Sequence, residues 1–281
     1  MKVRLWGTRG SLPCGAPENV RYGGNTSCVE VRGEGACLLL DAGTGVRRAG
    51  VAIDPDKVKR VDILLTHLHM DHIQGLGFFH PLYQEGMEVH IWGPASRRHD
   101  LGGRLTRYLS QPLFPVLLKD LPCTWELHDV RVGEPFEIGS LRITADFVAH
   151  PGATLGYRIE EKSISLVYLP DHEPALGRDH IPDDRTWLSG YRLAEGADLL
   201  LHDSQYFAEE YAEKIGWGHS TVDQSLAFAG AVAVKRLVTF HHDPSHSDTV
   251  LDKLHNSLRK NCSLPFELIA GQEGTVLQLA G

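Results

Sequence analysis

Short apolar, β-branched runs closed by glycine, proline or aspartate recur along the chain, and they predict strands. They are Val3–Trp6, Cys28–Val31, Cys37–Leu40, Val61–Thr66, Val89–Trp92, Leu141–Phe147, Ser165–Leu169, Asp198–His202, Leu237–Phe240 and Thr275–Leu279. Two stretches have a helical period instead. Thr221–Val234 has Ser220 or Thr221 as its N-cap, and Asp248–Lys260 places Val250, Leu251, Leu254 and Leu258 on one stripe. Early strands read as hairpins and later ones alternate with helices, so the chain is of the mixed α/β class.

The pattern loosens over Pro94–Pro122, which carries Arg97, Arg98, Arg104 and Arg107 among Tyr108, Leu109, Leu113 and Phe114. This reads as an insertion at about 94–122, either a solvated helix-loop excursion or an arm or lid that touches substrate. No low-complexity tract or flexible linker divides the sequence, so residues 1–281 are expected to form a single domain. That length is enough to bury a core without disulfides.

Charge and cysteine usage narrow the class. A formal charge of −8 argues against a broadly basic surface that binds nucleic acid by charge alone. Five scattered cysteines, Cys14, Cys28, Cys37, Cys123 and Cys262, include no CxxC pair and read as reduced thiols. The start turns polar and glycine-rich too soon for a signal peptide, and no run is long enough to span a bilayer. A cytoplasmic protein with no membrane partner is expected.

Sixteen histidines are the compositional oddity, and their placement matters more than their number. Val61-Asp62-Ile63-Leu64-Leu65-Thr66 runs directly into His67-Leu68-His69-Met70-Asp71-His72, followed by Gly75 and Gly77. A buried strand therefore delivers three imidazoles and a carboxylate into one loop. If Asp71 and His72 begin a helix, His67 and His69 can hold one metal while Asp71 and His72 turn back to a second.

This string resembles the histidine and aspartate signature of metallo-β-lactamase-fold hydrolases. The resemblance extends from the amino-terminal strands through His242. It implies a four-layer αββα sandwich in which two mixed sheets pack face to face, and three further ligands at later strand ends. His150, after the strand-like Leu141–Ala149, would complete the first metal's set. Asp171, after Ser165–Pro170, would bridge the two metals. A late histidine would complete the second set, and of the adjacent His241 and His242 only one is expected to face inward; the resemblance favours His241. In isolation each of these is as readily a turn, cap or surface residue.

Trp217-Gly218-His219-Ser220-Thr221 resembles the Gly-His-Ser-Thr segment of ribonuclease Z and its phosphodiesterase relatives. It implies that His219 is a general acid or a donor to phosphoryl oxygens, beside the plainer reading of a residue preceding a helix cap. Asp203 could orient His219, although a simple strand-end carboxylate is the plainer reading. Gly7–Ser11 and Tyr22–Ser27 look like turn-forming segments near the site. Arg9 or Asn25 could contact an anionic substrate, or both could serve turn chemistry alone.

The expected cofactors are two divalent metal ions, zinc first, with manganese or iron compatible with the nitrogen and oxygen ligands. Such a pair would make water nucleophilic near neutral pH, with Asp71 accepting its proton. The function expected is a dinuclear metal-dependent phosphodiesterase acting on a small anionic cyclic or diester phosphate. Alternatives are an acyl hydrolase for a thioester, lactone or β-lactam, and a metal-binding sensor or scaffold without catalysis. No glycine- and proline-rich basic arm of the kind that clamps transfer RNA is evident, so long nucleic acid is the less favoured partner. A homodimer is compatible with the sequence.

Overall fold

A computed structural model describes residues 1–178, 181–182 and 184–280. Six strands open the chain: β1 (Lys2–Gly7), β2 (Cys28–Gly33), β3 (Ala36–Leu40), β4 (Arg60–Leu64), β5 (Glu88–Pro94) and β6 (Thr124–Val130). The next seven form a second sheet: β7 (Phe136–Ile138), β8 (Leu141–Phe147), β9 (Leu155–Glu161), β10 (Ile164–Leu169), β11 (Leu199–Asp203), β12 (Arg236–Phe240) and β13 (Glu267–Ala270). The last strand, β14 (Val276–Gln278), returns to the first sheet beside β1. The strand orders are β14-β1-β2-β3-β4-β5-β6 and β13-β12-β11-β10-β9-β8-β7.

The period of two along each strand explains the layers. On β3, Ala36, Leu38 and Leu40 face the core between the sheets, whereas Cys37 and Leu39 face outward under helices. On β10, Leu166 and Tyr168 point to that same central core, with Val167 and Leu169 on the other side. Helices cover the two outer faces. They are α1 (Val46–Ala52), α2 (Met70–Ile73) and α3 (Leu101–Leu105), then α4 (Tyr191–Ala194), α5 (Ala208–Tyr211), α6 (Val222–Ala231) and α7 (Asp248–Asn261). The arrangement is the expected αββα sandwich of the metallo-β-lactamase type. Among the described residues, no helix is long and apolar enough to cross a membrane.

Each strand read from the sequence is present, and Thr221 is the N-cap of α6, completing a capping box with Gln224. Four strands were not anticipated: β6, β7, β9 and β13. On β6 and β9 charge masks the alternation, as where Tyr157 and Ile159 are buried while Arg158 and Glu160 are half-buried, and β7 and β13 are only three and four residues long.

Two details position the site. β3, β4 and β5 are parallel, as are β10, β11, β12 and β13, so their carboxyl ends gather at one edge of the sandwich. The run read as a strand to Thr66 leaves its sheet after Leu64, and the Thr66 carbonyl accepts from the Leu155 amide of the opposite sheet at 2.9 Å. The His67–His72 segment therefore starts at the seam between the sheets. The stretch over 94–122 folds back onto the outer face of the first sheet. Leu101, Leu105, Leu109, Phe114 and Leu118 are buried there, while Arg97, Arg98 and Arg107 are exposed.

Candidate metal centre

After Thr66 the chain stays extended through His69, whose backbone has the β conformation, and then winds into α2. This break in conformation separates the motif into two ligand pairs. His67 and His69 present ring nitrogens beside His150 and Asp171, and Asp71 and His72 present theirs beside His241 and Asp171. Within each group the four ligand atoms lie within 4.8 Å of one another.

Asp171 belongs to both groups, through different oxygens. Its Oδ2 lies 3.6 Å from both His67 Nε2 and His150 Nε2, and its Oδ1 lies 3.0 Å from His72 Nε2 and 3.2 Å from His241 Nε2. Asp71 Oδ2 is 3.3 Å from His72 Nε2 and 3.2 Å from His241 Nε2, and it accepts the Ser11 amide at 2.8 Å.

The far nitrogens of these rings are tied down, which fixes the face each ring presents inward. His72 Nδ1 pairs with Asp41 Oδ2 at 2.8 Å, His241 Nδ1 with Gln205 Oε1 at 2.9 Å, and His150 Nδ1 with the Gly218 carbonyl at 2.8 Å. His67 Nδ1 meets the Thr66 hydroxyl at 3.0 Å. Asp41 also accepts from the Thr66 amide and from Tyr168 Oη. Close packing leaves no room to spare: a Cβ on Gly10 would stand 2.4 Å from His241 Nδ1.

The inward atoms have the opposite character. His67 Nε2, His72 Nε2 and Asp171 Oδ1 are buried with no partner in hydrogen-bonding geometry, although His72 Nε2 and Asp171 Oδ1 stand 3.0 Å apart. Burial disfavours a charged His72, yet Asp171, Asp71 and Asp41 together hold its pKa well above the usual histidine value. Burial would likewise raise Asp171, but His241, His72 and His67 keep its carboxyl well below the usual range. The pocket is thus organised around positive charge. His67 is driven the other way, first by burial and then by repulsion from His72, and presents a neutral lone pair. His69 is exposed, which opens the centre to solvent on one side.

His219 lies over this cluster, its ring stacked on His241 at 5.1 Å and edge-on to His150 at 5.0 Å between centroids. Its Nδ1 pairs with Asp203 Oδ2 at 2.7 Å, so Asp203 at the end of β11 does orient it, contrary to the plainer reading of a free strand-end carboxylate. Burial opposes charge on His219, but Asp203 outweighs it and the pKa is pushed up to about 9.

The adjacent His241 and His242 part company just beyond the end of β12, His242 Nε2 turning to the Gly271 carbonyl at 3.0 Å. His241 achieves its inward direction with φ of 61°, a left-handed backbone rarely taken by a histidine.

Arg9 and Asn25, the candidate substrate contacts, both have partners within the chain. Arg9 is fully buried, and its guanidinium donates to the carbonyls of Gly23, Asp243 and His246. It locks the amino-terminal loop to the segment after His242. Asn25 is spent on Glu273, which accepts from both its amide nitrogens. Both sets of contacts hold the amino-terminal loops in place.

Sequence reasoning missed Asp41, Gln205 and Glu173. Asp41 had a signal, an aspartate ending the apolar run Cys37–Leu40 before Gly43. Glu173 is fully buried and accepts from the amides of Gly216 and Gly218 and from Tyr211 Oη, holding the loop that carries His219. Nothing in its local sequence indicates this.

Against known proteins, the profile of the Beta-lactamase superfamily domain matches residues 37–242. The ribonuclease Z of Methanothermobacter thermautotrophicus is 28% identical over 284 aligned positions, covering 86% of each chain. Among solved structures, the metallo-β-lactamase-fold protein YhfI of Bacillus subtilis superposes with a TM-score of 0.69 at 20% identity, over 98% of both chains. A diphosphatase of the PhnP family gives 0.68 at 19% identity, over 99% of this chain and 98% of that one. With its profile match spanning well over half its length and the candidate ligands inside it, the chain belongs to the β-lactamase superfamily and has the metallo-β-lactamase fold.

Proposed function

We propose that the protein is a metal-dependent phosphodiester hydrolase. His67, His69, His150 and Asp171 hold one divalent cation in this reading, and Asp71, His72, His241 and Asp171 hold the other. The fit rests on the buried inward atoms that lack partners, His67 Nε2, His72 Nε2 and Asp171 Oδ1. An all nitrogen and oxygen donor set suits zinc, and manganese or iron as well. When bound, two such cations supply Lewis-acid stabilisation of phosphoryl charge and make water a nucleophile near neutral pH.

The chain's own contribution is positional. Asp71 receives the proton of the attacking water, and the Ser11 amide keeps its carboxylate turned toward the centre. His219, fixed at Nδ1 by Asp203, donates from Nε2 to the departing oxygen. This dyad stacked over the ligand cluster is the observation that carries the phosphodiester reading. Ribonuclease Z relatives and the PhnP-family diphosphatase support the same class.

Small cyclic or diester phosphates are the preferred substrates. The net charge of −8 and the folding of residues 94–122 onto the body, not out from it, support this over a long nucleic acid. Residues 1–281 act as one catalytic unit, because β14 closes onto β1 and the proposed ligands come from both sheets.

The test is His219→Ala, assayed with bis-p-nitrophenyl phosphate, cyclic nucleotides, a precursor transfer RNA, thioesters and lactones. Retention of both metals with loss of most phosphodiester turnover, about 100-fold or more, is expected. Loss of metal from the variant would refute the role given to His219. Turnover confined to thioesters or lactones would establish the acyl-hydrolase alternative, and turnover confined to the transfer RNA would overturn the preference for small diesters.

A further inference from the structure

A second group of metal-binding side chains lies away from the seam. β5 and β6 are parallel, and their register sets His90 opposite Glu126 and Trp92 opposite His128. Residues two apart on a strand share a face, so His90, Glu126 and His128 project together. His90 Nδ1 is 2.9 Å from His128 Nε2, and each of these nitrogens is 3.7 Å from Glu126 Oε2. Donors bound to one tetrahedral zinc at about 2.0–2.2 Å are roughly 3.3–3.6 Å apart. The three separations bracket that range without any strand having to move.

The surroundings favour a cation over a bare hydrogen bond between two rings. His128 stacks on Trp92 with centroids 3.9 Å apart, and Trp92 is anchored by donating Nε1 to Asp62 at 2.9 Å, so the imidazole is already oriented. Asp62 is occupied by Arg60 and Trp92 and does not compete for the histidines. β6 is the edge of its sheet, and Glu126 is exposed, so an ion can enter directly from solvent. Asp62 pairs with His90 five residues before His67, which puts the group about 17 Å from the seam.

We propose that His90, Glu126 and His128 form a separate binding site for one transition-metal dication, taking Zn²⁺ in preference to Mg²⁺ or Ca²⁺. Two imidazoles and one carboxylate suit borderline metals, while the hard cations demand more oxygens. Three protein ligands leave a fourth position facing solvent, and the ion would clip β5 to the edge strand.

Equilibrium binding of Zn²⁺ to the purified full chain, with bound metal counted by mass spectrometry, tests this. The wild type should hold one more Zn²⁺ per chain than His128→Asn, and Glu126→Ala should weaken that extra ion by about tenfold or more. Zn²⁺ should also raise the melting temperature of the wild type more than that of either variant, while Mg²⁺ in excess leaves both readouts unchanged. Equal Zn²⁺ content and equal melting shifts in all three proteins would overturn the site, as would displacement by Mg²⁺. Should His128→Asn fail to fold, the exposed Glu126→Ala decides alone. The readout is a difference between wild type and variants, so it stands apart from whether the seam holds two metals.

Discussion

Asp41 shows how much a single side chain outside the cluster decides. It is fully buried with φ of 60°, an unfavourable backbone for a non-glycine residue that the fold maintains so that one carboxylate can reach His72, Thr66 and Tyr168. Asp41→Ala frees His72 Nδ1 to change tautomer, and the expected result is a 10–100-fold weaker hold on metal at the Asp71–His72–His241 group, about the size seen for such supporting contacts. Competition against a zinc chelator checks it, and unchanged affinity would contradict the assignment. At this scale the proposed ligands were legible because metal chemistry needs particular donors and strand ends display them in sequence. Asp41 had only the weak signal of a strand-end aspartate, and Gln205 and Glu173 had none, because a carboxylate or amide acquires its role from partners far along the chain. The contacts of Arg9 were hidden for the same reason: its acceptors Asp243 and His246 are more than 230 residues away.

Among the elements, β6 and β9 went unread where α6 and α7 did not. A helix announces itself locally, through the Thr221–Gln224 box or the Ser247 cap, whereas a half-exposed strand takes its identity from neighbours. Helix α7 carries a consequence for acid stability. His255 on its buried face sits against Thr239, and burial, then Arg259, lower its pKa to about 4. In the unfolded chain it titrates near 6.5. Between these values the unfolded state takes the proton and the folded state refuses it. Stability should therefore decline as pH falls from 6.5 toward 4, by about 1.4 kcal/mol per pH unit from this residue, and level off below. Denaturant melts across that window should show a shallower decline for His255→Gln, and parallel curves would exclude His255 as a contributor.

On the scale of the whole molecule, the strand and helix pattern gave a mixed α/β class, the sandwich followed only from the family resemblance carried by the candidate ligands, and the way its halves meet was not legible. The first sheet's loops contribute His67, His69, Asp71 and His72, and the second's contribute His150, Asp171 and His241. Under the proposed reading metal joins the two halves, so chelation should lower the melting temperature as well as abolish turnover, with restoration of both by Zn²⁺. A chelated protein that melts unchanged would argue that the sheets pack without help from the seam.

The carboxylate of Asp171, with one oxygen turned to each group, has a further consequence. Under the proposed reading, an ion arriving at either group would fix the orientation of an oxygen the other needs, so occupancy of the two positions would be thermodynamically linked, and the linkage would be reciprocal. Filling of the metal-free protein should depart from two independent sites, and Asp171→Ala should uncouple whatever binding remains. A regulator of this enzyme would then need to act on only one position to set the occupancy of both.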